Sequence, residues 1–171
     1  KKKNLRVISV STEYNEALTS IKSVSGGYLY QQKDGQKGEL NNLNVVTKRK
    51  PTNDEYLAIN LGWMLVRHVK SNAIVLADKM QLLGIGAGQM SRIDSVKIAI
   101  QKVTDNGLNL HGSIMASDAF FPFSDSVELA AEAGVVAVIQ PGGSIKDDEV
   151  ISKANELGIA MVFTNTRHFL H

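Results

Sequence analysis

No cysteine occurs in the chain, which excludes a disulfide framework and any Cys-ligated zinc site. Long apolar runs are missing as well. The stretch 134–139 falls far short of the roughly 20 residues a membrane-spanning helix needs. The chain does not open on Met, and no apolar central region of a signal peptide stands near its start. These absences give the expectation of a cytoplasmic protein with no membrane partner. An excess of one charge sign is nearly absent overall, at a net +2, but the charges are unevenly placed: residues 1–50 carry ten Lys/Arg against four Asp/Glu. The basic residues split between Lys1–Lys3 and 48–50 with no interleaved aromatic platform, so they read as solvated ends rather than a nucleic-acid surface. Phenylalanine is scarce too, yet three of the five fall within four positions, in Ser117-Asp-Ala-Phe-Phe-Pro-Phe-Ser-Asp125.

What is present suits one compact domain or slightly more: 171 residues, 43% hydrophobic and 21% charged, are enough for a buried core. Residues 5–10 and 27–35 read as strands, the second ending in an Asp-Gly turn. Asn44-Val-Val46 leads into Thr47-Lys-Arg-Lys-Pro51, an extended and exposed approach to a helix. Thr52-Asn-Asp-Glu55 is a capping box that opens a helix over 53–69, with Leu57, Leu61, Met64, Leu65 and Val69 on its apolar face. The apolar runs 73–77 and 82–85 read as a hairpin. A glycine turn, Gly84-Ile-Gly-Ala-Gly88, then opens a helix over 89–103. Alternation follows: strand 113–116, helix 124–133, strand 135–140, helix 146–157 and strand 159–163, with Gly134 and Gly158 at helix C-caps. Such a pattern predicts an α/β fold with a partly parallel sheet. The sequence divides into a lead-in over 1–51 and a subdomain over 52–171.

The element order resembles the cytidine-deaminase-like scaffold, a three-layer mixed sheet with helices on both faces. That scaffold carries a His-x-Glu after the hairpin and a Pro-Cys-x-x-Cys before the following helix. Here those places read Gly-Ala-Gly-Gln-Met-Ser-Arg and Asp-Ala-Phe-Phe-Pro-Phe, so the resemblance implies a lost zinc site.

In open α/β sheets, ligands sit beyond the carboxyl ends of the strands. The loops 84–92, 117–125 and 140–147 all lie there and can converge. Rings stack on flat heterocycles, and carboxylates accept from N–H groups. Three Phe flanked by Asp118 and Asp125 therefore suit a flat, heteroatom-rich ligand, or else a loop that plugs the core. Gly84-x-Gly-x-Gly88 is not the dinucleotide fingerprint and equally marks close helix packing. Arg92 is either an anion clamp or a surface charge. Gln140-Pro-Gly-Gly-Ser144 reads as a close-approach loop before a helix N-terminus, with Ser144 a cap as well. The four His form no metal set.

Together with Val69-Lys-Ser-Asn-Ala-Ile74 and the closing Arg167-His-Phe-Leu-His171, these motifs resemble the bifunctional AICAR transformylase/IMP cyclohydrolase family of purine biosynthesis. The likeness spans nearly the whole chain and corresponds to the C-terminal half of the transformylase region, up to the family's C-terminus. It implies formyl transfer from 10-formyltetrahydrofolate, the co-substrate, to AICAR ribonucleotide, in a homodimer whose sites lie near the interface. Carried over position by position, it makes Asn72, Arg92, Phe120, Arg167, Phe169 and His171 contacts of AICAR. Ile93, Asp125, Ser144 and Ile145 become contacts of the folate. A monovalent cation such as potassium is also implied, with Asp118 its candidate, and no zinc. The family's catalytic Lys-His pair lies in the first half of the transformylase region. No Lys-His dipeptide occurs in this chain, so a fragment inactive without that half and the cyclohydrolase domain is expected. The alternative is a non-catalytic nucleotide-binding or dimerisation scaffold.

Overall fold

The computed structural model describes residues 6, 8–9, 19–32, 34, 40 and 43–170. Two compact units divide the chain, 1–37 and 38–171. In the first, β1 (Thr19–Val24) and β2 (Gly27–Gln32) form an antiparallel hairpin in register Ile21↔Tyr30. Gly26 takes the left-handed backbone (φ 83°) that the tight connection requires. The strand at 19–24 is not anticipated from sequence, because Ile21 and Val24 are out of phase for a period of two. Half of the expected strand at 5–10 (Leu5, Val7 and Val10), and Gly35 of the expected turn, lie outside the described residues.

The second unit is an α/β fold on a six-stranded mixed sheet. Its elements run β3 (Asn44–Val45), α1 (Asn53–Val66), β4 (Ile74–Ala77), β5 (Leu82–Gly86), α2 (Arg92–Asp105), β6 (Ser113–Ser117), α3 (Asp125–Glu132), β7 (Val135–Gln140), α4 (Asp147–Glu156) and β8 (Ala160–Phe163). Strand order is β3-β8-β7-β6-β4-β5. The central β6, β7 and β8 are parallel, while β3, β4 and β5 pair antiparallel. Side chains alternate between two cores. Ile74, Leu76, Met115, Val138 and Met161 face α2, α3 and α4; Val75, Ala77, Ile114, Ala137 and Val162 face α1. Helices on both faces explain why β4, β6 and β8 are apolar almost throughout instead of alternating with polar residues.

Helix α1 begins as its capping box predicts, with Thr52 Oγ1 accepting from Glu55 N–H at 3.3 Å and Glu55 accepting from Thr52 N–H at 2.9 Å. Replacing Thr52 by Ala is expected to lower stability by about 1 kcal/mol in urea unfolding, the usual worth of such a cap. The buried face of α1 differs from the one read from spacing. Leu57 and Met64 are 58% and 44% exposed, whereas Ala58, Ile59, Gly62, Trp63 and Val66 turn inward. Close approach to the sheet fixes one point of this face: a Cβ at Gly62 would lie 2.7 Å from Ile114 Cδ1, so a glycine sits where helix and sheet come nearest. The helix also stops at Val66, three residues before the expected end.

The approach to α1 is not an exposed tether. Thr47 is buried, its Oγ1 accepting from Met161 N–H at 2.8 Å, and Pro51 is buried as well. Arg49, expected in a solvated basic run, donates to Gly158 O at 2.7 Å, to Glu55 at 2.9 Å and to Val136 O. A guanidinium has five donors in one plane, enough to tie a helix start to a strand and a loop at once.

Candidate functional site

Because β4 and β5 run antiparallel to their neighbours, the start of β4 and the end of β5 meet the carboxyl ends of β6, β7 and β8. Five connecting segments therefore gather at one edge of the sheet. A cleft of about 460 Å³ opens there, lined by Asn72, Met90–Arg92, Ala119, Phe120, Pro122, Arg167 and Phe169. Five of the six residues expected to contact AICAR thus share one cleft; His171 lies outside the described residues.

At the floor of the cleft is a buried ion pair. Arg92 is 8% exposed and Asp118 fully buried. Arg92 Nη1 donates to an Asp118 oxygen and, at 2.9 Å, to Ser117 Oγ; its Nη2 donates to Asn72 Oδ1 at 2.8 Å. Asn72 Nδ2 in turn donates to Gln89 O at 3.0 Å and Met90 O at 3.1 Å. Arg92 is therefore not the surface charge that was one reading of it. Three of its five N–H groups are spent inside the protein, leaving two for a ligand.

The other Asp118 oxygen accepts from the Ser71 hydroxyl, a residue that spacing gave no reason to single out. Ser71 also holds the tail: its N–H donates to Leu170 O at 2.9 Å, and its Oγ accepts from Leu170 N–H at 3.2 Å. His168 N–H donates to Asp118 O at 3.0 Å, and the His168 ring packs on Trp63 with centroids 4.5 Å apart. The tail is a docked wall of the site. Its Arg167 guanidinium sits 4.8 Å above the Phe120 ring, a cation–π contact that fixes both groups at the mouth.

The aromatic loop splits three ways. Phe120 lines the cleft; Phe121 is fully buried, with its N–H donating to Gln140 Oε1 at 3.1 Å. Phe123 fits neither reading of the loop: it is 57% exposed and stands outside the cleft lining. Residues expected on the folate stand outside the cleft lining. Ile93 is half-buried in the first turn of α2. Asp125 is exposed at the start of α3, Ser144 is half-buried, and Ile145 is 100% exposed on the loop after β7. The glycine motif also resolves differently from a turn alone. Gly84 and Gly86 belong to β5, only Gly88 has a left-handed backbone (φ 69°), and α2 starts at Arg92 instead of Gln89.

Comparison with known proteins bears on the same residues. The family model described as AICARFT/IMPCHase bienzyme matches residues 1–102. The chain is 52% identical to the bifunctional purine biosynthesis protein PurH of Halalkalibacterium halodurans, over 99% of its own length. It is likewise 52% identical to that of Aquifex aeolicus and 51% to that of Anoxybacillus flavithermus, each over 100% of this chain. It spans 33% of the length of these relatives. A family match over more than half of the chain, and relatives about half identical along all of it, agree with the motif set at the cleft: the chain belongs to the AICARFT/IMPCHase bienzyme family.

Proposed function

We propose that the chain supplies one wall of a formyl-transfer site, moving the formyl group of 10-formyltetrahydrofolate to the amine of AICAR ribonucleotide. The observation that carries this reading is the convergence of Asn72, Arg92, Phe120, Arg167 and Phe169 on one cleft at the carboxyl edge of the sheet. The residue types match the chemistry. Arg92 and Arg167 suit a phosphate, the Phe120 and Phe169 rings suit a planar imidazole, and Asn72 has one acceptor site left on Oδ1 for a carboxamide N–H. The amine is a poor nucleophile because its lone pair is delocalised into the ring and carboxamide. A site must therefore align it, take its proton and stabilise the oxyanion that forms on the formyl carbon. The chain supplies alignment, and Asp125, Ser144 and Ile145 are the residues assigned to the folate. The Lys-His pair that moves the proton belongs to another part of the enzyme.

A deaminase-like subdomain, a homodimer with sites near its interface and a cytoplasmic home belong to the same proposal. So does potassium at Asp118. Both Asp118 oxygens already accept, one from Arg92 and one from the Ser71 hydroxyl, so an ion there would use their remaining lone pairs, oxygen being the ligand type hard cations take.

The test compares two proteins in a formyl-transfer assay: the 171-residue chain alone, and Aquifex aeolicus PurH with this chain in place of the third it matches. The chain alone is expected to give no turnover and the chimera to be active. Turnover by the chain alone refutes the half-site reading; an inactive, folded chimera favours a non-catalytic nucleotide-binding or dimerisation scaffold.

A further inference from the structure

The loop between β7 and α4 reaches the cleft without lining it, and its shape is held by a side chain of the helix that follows. Asp147, the first residue of α4, turns back toward the loop. Its Oδ2 accepts from Gly143 N–H at 2.7 Å and from Ser144 N–H at 3.2 Å. Its own N–H donates to Ser144 O at 3.2 Å, and Ser144 Oγ accepts from Lys146 N–H at 3.1 Å. One carboxylate thereby satisfies two successive backbone donors of a five-residue turn. Its Oδ1 is buried and accepts from no donor among the described residues, so part of the carboxylate's solvation has been given up for this geometry.

The turn is tightly placed. Gly142 and Gly143 have left-handed backbones (φ 73° and 92°). A Cβ at Gly142 would lie 2.4 Å from the Phe163 ring, and one at Gly143 would lie 3.7 Å from Arg167 Nη2. The loop is thus pressed against β8 at Gly142, while on the Arg167 side a methyl group at Gly143 would still be accommodated. At its tip, Ile145 is 100% exposed, an apolar side chain held out in solvent beside the site. Exposing a whole Ile has a cost unless something apolar covers it in use.

We propose that Asp147 is a positioning residue: it holds the 142–146 turn so that Ile145 and the Ser144 backbone meet the pterin-bearing co-substrate. This rests on the formyl-transfer reading and adds a division within it. Asp147 governs the folate side, whereas the Arg92–Asp118 floor governs the AICAR side.

The experiment uses the chimeric PurH with Asp147→Ala and Asp147→Asn, measuring KM for 10-formyltetrahydrofolate and for AICAR separately. Hydrogen bonds to a charged group are worth enough that Asp147→Ala is expected to raise the folate KM about tenfold or more. The AICAR KM should stay within about twofold, since no Asp147 contact reaches the cleft floor. Asp147→Asn keeps one acceptor oxygen and should recover most of the loss. If Asp147→Ala does not fold, the Asn variant shows the same split at smaller size. Equal changes in both KM values, or none in either, overturn the assignment. An unsubstituted chimera without formyl transfer removes the underlying reading, and this role with it.

Discussion

Asp118→Ala is expected to lower the unfolding free energy of the chain by about 3–5 kcal/mol, the range for removing one partner of a buried ion pair. The loss comes less from the bond itself than from what is left behind. Arg92 is 8% exposed, so its charge would stay largely buried, with Ser117, Asn72 and the water of the cleft as its polar partners. Ser71 loses its acceptor in the same step, and Ser71 is what holds the Leu170 backbone. Two readouts follow. The urea midpoint should fall with little change in m-value, and amide exchange should rise at His168 and Leu170 beyond the global change. Asp118→Asn, which keeps the shape and one acceptor, should cost clearly less than Ala. A midpoint unchanged by Asp118→Ala would mean that the pair contributes nothing, and the account of the cleft floor would fail.

The second large effect concerns a glycine with an ordinary backbone angle. Gly86→Ala is expected to cost about 3 kcal/mol, at or above the usual range for overpacking. A Cβ there would lie 1.8 Å from Ser95 O and 2.5 Å from the Ser95 carbonyl carbon. Backbone cannot rotate away as a side chain can, so α2 must lift off β5. Ser95 Oγ also donates to Asn72 O at 2.7 Å, so lifting α2 disturbs Asn72 and Arg92 together. Gly88→Ala is the contrast. Its nearest neighbour would be Lys70 Cδ at 3.7 Å, and its cost comes from the left-handed backbone (φ 69°), about 1 kcal/mol. Thermal melts of the two variants separate close packing from turn geometry; equal losses would defeat the distinction.

Much of the architecture was legible beforehand because it is written locally. Thr52 and Glu55 are three residues apart and form their cap without outside help. Gly134 and Gly158 follow α3 and α4 in left-handed conformations, φ 103° and 69°, as their places after each apolar run imply. The strand at 135–140 is found at Val135–Gln140 because its apolar run is bounded on both sides. The inward face of α1 was not legible: its residues are apolar nearly all round, so spacing alone cannot rank one stripe above another. Likewise Arg49 and Lys50 are neighbours in a basic run, and nothing local says that one of them clamps three segments.

The same division runs through the site. The α/β class, the order of elements from α1 onward, the family and five residues that share a cleft can be read from the chain alone. Motifs of adjacent residues carry that information, and a polypeptide's local periodicity does not depend on its partners. Long-range packing sets the rest: Phe121 turns inward while Phe123 turns out, Arg92 spends three donors on the protein, and Ser71 and Asp118 fasten the tail. Those outcomes depend on groups 26, 47 and 99 residues apart meeting across the sheet. Their meeting is set by strand register and by the depth at which α2 can settle on two glycines, quantities that no stretch of sequence encodes alone.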